Sequence, residues 1–170
     1  MDDRHFPSLT TVGLAGLFLL LGVVLLLVPL NLVGGLVPTP LLPLCVIFIY
    51  GLERPESLPP SLTFVMGILH DLLFGVAIGP WASVYLLIHV LVVWQRSYFA
   101  GRDGTVLTTG FAAASALAMA LFWFEMSILS SRPMPLLAIF WQWIVTVGSF
   151  PFLLALFRRF AGRPRANMLV

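Results

Sequence analysis

Long apolar runs, separated by short breaks of proline, glycine and charge, make up most of the chain. The first run, residues 9–30, carries no charge and is long enough to cross a hydrocarbon core of about 30 Å as a helix. The second, residues 37–52, contains Pro38, Pro40 and Pro43. Proline removes a backbone donor, so this segment reads as an extended or broken lead-in followed by a short helix. Irregular backbone at membrane depth must be covered by protein or water, which puts the segment inside the bundle or against a cavity. The polar loop ERPESLPP leads to a third run over residues 61–79, and Pro80 opens a fourth over 81–97. An alanine-rich fifth run covers 105–129, the turn SSRPMP follows, and a sixth run covers 136–157. Residues 158–170 read as a basic cytoplasmic tail, disordered beyond Gly162. The runs lack the two-residue alternation of a membrane barrel. The pattern predicts an all-α polytopic membrane protein with six transmembrane segments in a single domain, the second short and proline-broken. No glycine or proline break recurs in both halves as an inverted repeat would require.

Composition supports the same class. Of 170 residues, 60% are hydrophobic and 9% charged, against about 25% charged in an ordinary soluble domain. The mean hydropathy is +1.05. A soluble core of this size cannot hide that much apolar surface. Cys45 is the single cysteine, so neither an intrachain disulfide nor a cysteine-based zinc site is available. All 9 basic residues are arginines, and they sit at segment ends. With six segments, Arg4, Arg54, Arg96, Arg102, Arg158, Arg159, Arg163 and Arg165 fall on one side and Arg132 on the other. Arginine accumulates in cytoplasmic loops, so both termini are expected in the cytoplasm, and the pattern speaks for membrane topology, not nucleic-acid binding. Trp94 and Tyr98 then fall at the inner interface, Trp81 and Trp123 at the outer one. The N-terminal run is too long for a cleaved leader and lacks a small-residue cleavage site, so it reads as a retained span.

The chemistry concentrates in the hairpin FVMGILHDLLFGVAIGPWASVYLLIH, which carries His70, Asp71 and His89 inside apolar sequence. Charge in such a segment is costly and calls for a reason. Thr63, Gly67, Asp71, Gly75 and Gly79 are spaced by four, which places them on one small, polar helix face that a second helix can approach closely. Asp71 falls about halfway along the segment, near the bilayer midplane, and must be protonated, hydrogen-bonded or wet. His70 precedes the Gly79-Pro80 turn by nine residues and His89 follows it by nine, so a bond from Asp71 or His70 to His89 is expected. A polar clamp between helices is the simplest reading; the lining of a cavity or of a partner-facing groove is the sharper one. Adjacent His70 and Asp71 point about 100° apart on a helix, a poor chelate for a metal.

Other polar positions are weaker signals. Glu125 is expected at the outer interface, solvated or paired with Arg132, and Gln142 between Trp141 and Trp143 reads as an interfacial anchor. Gly110, Ala114 and Ala118 form a small-residue stripe suited to helix packing. The chain has no HExxH, GxSxG or phosphate-loop signature, and no nucleophile stands near either histidine in sequence, so an enzyme is not expected.

The stretch PPSLTFVMGILHDLLFGVAIGPWASVYLL, residues 59–87, resembles the MreD family of rod shape-determining membrane proteins. Gly67, Asp71, Gly75, Gly79 and Tyr85 match that family's Gly-x-x-x-Asp-x-x-x-Gly core, small-apolar turn and following aromatic residue. The resemblance implies a non-catalytic scaffold of the bacterial inner (cytoplasmic) membrane, with no cofactor. It implies association with the bitopic protein MreC, directly or indirectly with the MreB filament, and with the RodA–penicillin-binding-protein synthase that inserts side-wall peptidoglycan and maintains cell shape. It also implies a helical bundle similar to the S-component of energy-coupling-factor transporters. Gly67, His70, Asp71, Gly75, Gly79 and His89 are the structural or partner-docking candidates. The competing reading is a small-molecule-binding membrane subunit of that transporter type, supported by the polar hairpin and the broken second segment. An intramembrane hydrolase would need a nucleophile close to His70 or His89.

Overall fold

The computed structural model describes residues 9–27, 38–130 and 135–160. Among them are six α-helices and no strand: α1 (Leu9–Leu27), α2 (Leu42–Glu53), α3 (Pro60–Phe74), α4 (Pro80–Phe99), α5 (Gly104–Leu129) and α6 (Leu136–Phe160). One 3-10 turn, Pro55–Ser57, links α2 to α3. Three helical stretches, Thr10–Leu27, Gly104–Leu129 and Leu136–Arg159, are long and apolar enough to cross a membrane. Their outward faces carry many large apolar side chains. On α1, Ala15, Leu19 and Val23 are fully buried, while Leu14, Leu17, Phe18 and Leu21 are exposed. On α6, Leu136, Leu137, Phe140 and Phe152 are exposed. A helix apolar all round is suited to a bilayer, because water would leave such faces uncovered. Helix length and composition thus suggest a helical membrane protein.

The broken second segment takes the expected form. Residues 38–41 are not helical, and α2 starts at Leu42 with Pro43 in its first turn. There a missing N–H costs nothing and the fixed φ favours the helix. The backbone before α2 is covered: Leu41 N–H donates to Thr146 Oγ1 on α6 at 3.0 Å. α2 is short but central, burying Leu44, Cys45, Ile47 and Phe48. Phe48 packs edge-on against Phe111 of α5 and Phe150 of α6, with centroids 5.3 and 5.5 Å away. Phe111 and Phe150 stack on each other at 4.1 Å. Such pairs contribute about 0.5–1.5 kcal/mol each beyond burial, so this trio ties the centre to two long helices.

Around α2 the later helices pack in chain order, α3 on α4, α4 on α5 and α5 on α6, with α1 against α2 and α3. The small-residue stripe of α5 is used for packing. Ala114 and Ala118 are buried, and a Cβ at Gly110 would collide with the Phe99 ring of α4.

Two boundaries differ from the sequence expectation. The third segment does not remain helical to residue 79; α3 ends at Phe74. Gly75 adopts φ +63. The Val76 N–H returns to the Asp71 carbonyl at 3.2 Å and the Gly75 N–H to Leu72 at 3.3 Å, the paired bonds of a glycine helix stop. Gly75 and Gly79 therefore leave the face shared by Thr63, Gly67 and Asp71. At the other end, α6 runs on to Phe160, so Arg158 and Arg159 sit on its last turn. The expected tail beyond Gly162, Arg132 and the first segment's exit lie outside the described residues.

Candidate functional site

The helix stop at Gly75 moves Asp71 from mid-segment to the last turn of α3, beside the turn into α4. Asp71 is fully buried. Its Oδ2 accepts the Gly79 N–H at 2.8 Å and its Oδ1 accepts the Trp81 N–H at 3.0 Å. Gly79 is the cap residue of α4 and Trp81 lies in its first turn. Pro80 between them has no N–H, so the carboxylate serves the two donors that flank it. A carboxylate at this position also faces the positive end of the α4 dipole. The side chain of one helix thus caps the next, and the acceptor count of a carboxylate explains why Asp71 suits the place.

His70 and His89 have different surroundings. His70, 2% exposed, lies with Nδ1 2.7 Å from the Tyr85 hydroxyl. Its ring stacks on Trp81 at 4.7 Å, and Trp81 stacks in turn on Phe122 at 4.2 Å. This column crosses α3, α4 and α5. The expected bond from Asp71 or His70 to His89 does not form. Because five non-helical residues separate the end of α3 from Pro80, His70 meets the second turn of α4, where Tyr85 stands, and not the third. His89, 3% exposed, lies one turn beyond Tyr85 on the same stripe, with its Nδ1 unpartnered among the described residues.

Gly67 is the closest approach in the hairpin. A Cβ there would lie 2.8 Å from both the Trp81 carbonyl oxygen and the Ala82 nitrogen, and nearer still to Ala82 Cα. Only glycine lets the α3 and α4 backbones meet here, which in turn brings Asp71 within reach of the α4 N-terminus. Gly79 takes φ +131 with open space around it, a turn conformation that disfavours any side chain.

Nearby, the Ser83 hydroxyl lies 2.8 and 2.9 Å from the two Glu125 carboxylate oxygens, linking α4 to α5. Trp143 Nε1 donates to the Ala112 carbonyl and to Ser115 Oγ, both at 3.1 Å, so this tryptophan joins α6 to α5. Tyr85 and Trp81 are the residues whose roles the residue pattern least foretold: one is the partner of His70, the other the centre of a three-ring stack. Among the described residues, no group of three or more His, Cys, Asp or Glu is placed to hold a metal. The hairpin arrangement can clamp helices: both Asp71 carboxylate oxygens and His70 Nδ1 have partners on α4 or at its cap.

At the opposite end of the bundle the described arginines gather. Arg96, Arg102 and Arg158 line one cavity, and Arg54 lines a second cleft beside Leu156 and Phe157. The Arg158 Nε and Glu53 Oε1 are 3.4 Å apart.

Comparison with protein-family models, curated proteins and solved structures finds no match for the chain.

Proposed function

We propose that the chain is a non-catalytic membrane scaffold of the MreD type. It acts in the bacterial inner membrane with a bitopic MreC-like partner and, through it or directly, with the MreB filament and the wall-elongation synthase. The observation that carries this reading is how the hairpin uses its polar groups. The Asp71 carboxylate caps α4 and His70 meets Tyr85, so these two residues of the family-like stretch build a rigid helix pair. The long helices meanwhile present apolar faces, suited to packing against a partner's transmembrane helix. The resemblance of residues 59–87 supplies the partner's identity.

In this reading all six helices belong to the membrane domain. α2 and α3, of 12 and 15 residues, measure about 18 and 22 Å and reach across with their flanking segments. The gathering of arginines at one end of the bundle favours that end, with both termini, on the cytoplasmic side.

The second reading, a small-molecule-binding subunit of the energy-coupling-factor type, has one observation in its favour. A cleft of about 530 Å³ opens between α1, α2 and α6, lined by Leu14, Phe18, Ile49, Phe157, Tyr50 and Arg54. That volume is typical of ligand pockets, but a hydrophilic ligand would want more polar groups than these. Depletion of the protein in the cells that make it separates the two. The scaffold reading expects rods to become round, with side-wall peptidoglycan insertion lost. Unchanged shape together with failed uptake of a nutrient would reverse the choice.

A further inference from the structure

The arginine-lined cavity lies outside the hairpin of residues 64–89. It lies where the C-terminal ends of α2, α4 and α6 meet the start of α5, and its volume is about 270 Å³. That is room for on the order of nine waters at their liquid volume, enough for a phosphodiester group. Arg96, Arg102 and Arg158 line it together with Glu53, three basic residues to one acidic residue, and all three arginines are partly open to the surface. The carboxylate lies next to Arg158; among the described residues no carboxylate pairs with Arg96 or Arg102, and Arg102 instead lies over the Tyr98 ring at 5.5 Å. Below the guanidinium groups the wall is apolar: Phe48, Phe99 and Phe150 close it. A second cavity of about 740 Å³ adjoins it, sharing Leu154 and Arg158, and opens between α5 and α6 along Thr105, Thr108 and Pro151. Asp103 stands at the rim of that cavity, ahead of the α5 N-terminus.

We propose that this cavity binds the phosphate headgroup of an anionic phospholipid, with an acyl chain following the groove between α5 and α6. Three features select a lipid over a soluble anion or an acidic peptide. The charge is arginine, which meets phosphate with paired donors. It sits at the ends of apolar helices, at the level where headgroups lie, and basic pockets between membrane helices are sites for anionic lipids. Its floor is aromatic and its exit leads between helices, which suits a tail and offers nothing to a peptide backbone. The inference rests on the membrane class and is independent of the scaffold reading: a lipid would bind here whether or not a partner docks.

The test is native mass spectrometry of the full chain released from detergent, with phosphatidylglycerol or phosphatidylcholine of the same acyl chains added. Wild type should retain phosphatidylglycerol in preference. The double variant Arg96→Gln/Arg102→Gln should lose about 30-fold in that binding, equivalent to about 2 kcal/mol at about 1.4 kcal/mol per tenfold. Arg159→Gln, which removes one charge outside the cavity lining, should bind like wild type. Equal retention of both lipids overturns the proposal, as does a double variant that binds as well as Arg159→Gln. Displacement of the lipid by glycerol phosphate at matched concentration would assign the site to a soluble phosphate ester and overturn it too. Should the double variant fail to fold, photoactivatable phosphatidylglycerol on the wild-type chain decides: labelling on the facing parts of α5 and α6 supports the site, and labelling confined to other helices refutes it.

Discussion

Replacing Asp71 by alanine removes both acceptors at the start of α4. The Gly79 and Trp81 N–H groups now bonded at 2.8 and 3.0 Å would lose their partner, and Pro80 cannot substitute for either. A hydrogen bond to a charged group contributes about 1.5–3 kcal/mol, and a lost helix cap alone costs about 1 kcal/mol. At the lower figure for each bond, Asp71→Ala should destabilise the hairpin by about 3 kcal/mol, roughly 100-fold in its opening equilibrium. Asp71→Asn keeps the shape and one acceptor but turns an NH2 toward a backbone donor, so it should lose at least one bond, about 1.5 kcal/mol or more. The assay is unfolding in mixed micelles by titration with a denaturing detergent, followed by circular dichroism, with hydrogen exchange of the peptide spanning the turn. Both variants should unfold earlier, and exchange at Gly79 and Trp81 should accelerate before exchange elsewhere. An Asp71→Ala protein within about 0.5 kcal/mol of wild type, with those amides still protected, would refute the cap.

Further outcomes follow from the same contacts. Gly67→Ala should cost about 1–3 kcal/mol despite alanine's better helix propensity, because the methyl meets the Ala82 and Trp81 backbone and not a flexible side chain; the same unfolding titration measures it. Tyr85→Phe should cost only about 1 kcal/mol, since one bond to His70 is lost while the ring packing stays. Thr146→Val should cost about 1–3 kcal/mol by leaving the Leu41 N–H unpaired, with faster exchange at the start of α2 as the local signature.

Much of this architecture was legible because membrane burial and proline chemistry act locally. The prolines at 38, 40 and 43 marked a non-helical lead-in, since only the first turn of a helix tolerates proline, and Pro43 occupies that turn. Asp71 was legible as a structural necessity through the cost of a carboxylate in an apolar run. Its partners were not. The four-residue spacing continued through Gly75 and Gly79 as though the helix did, whereas Gly75 is the residue at which it stops. Spacing alone cannot distinguish a glycine that lets a helix approach from one that ends the helix. Reading the helix on to residue 79 put Asp71 in mid-helix instead of the last turn of α3 and paired the histidines through equal counts from the turn. Tyr85 takes the place assigned to His89 because the shortened α3 meets α4 one turn earlier. The arginine cavity was hidden for another reason. Arg96, Arg102 and Arg158 were legible as topology signals, but their convergence depends on where three helix ends meet, and α6 had to extend past residue 157 to bring Arg158 there.

A chain that holds a membrane partner, as proposed, should carry that partner through purification. The most direct measurement is affinity purification of the tagged full chain from membranes in mild detergent, wild type beside Gly67→Ala and Asp71→Ala, with the retained proteins identified by mass spectrometry. A stoichiometric bitopic partner of the MreC kind is expected with wild type, with weaker retention by the two variants in proportion to their loss of hairpin stability. A wild-type protein that folds and purifies without any such partner, carrying instead a bound small molecule, would contradict it.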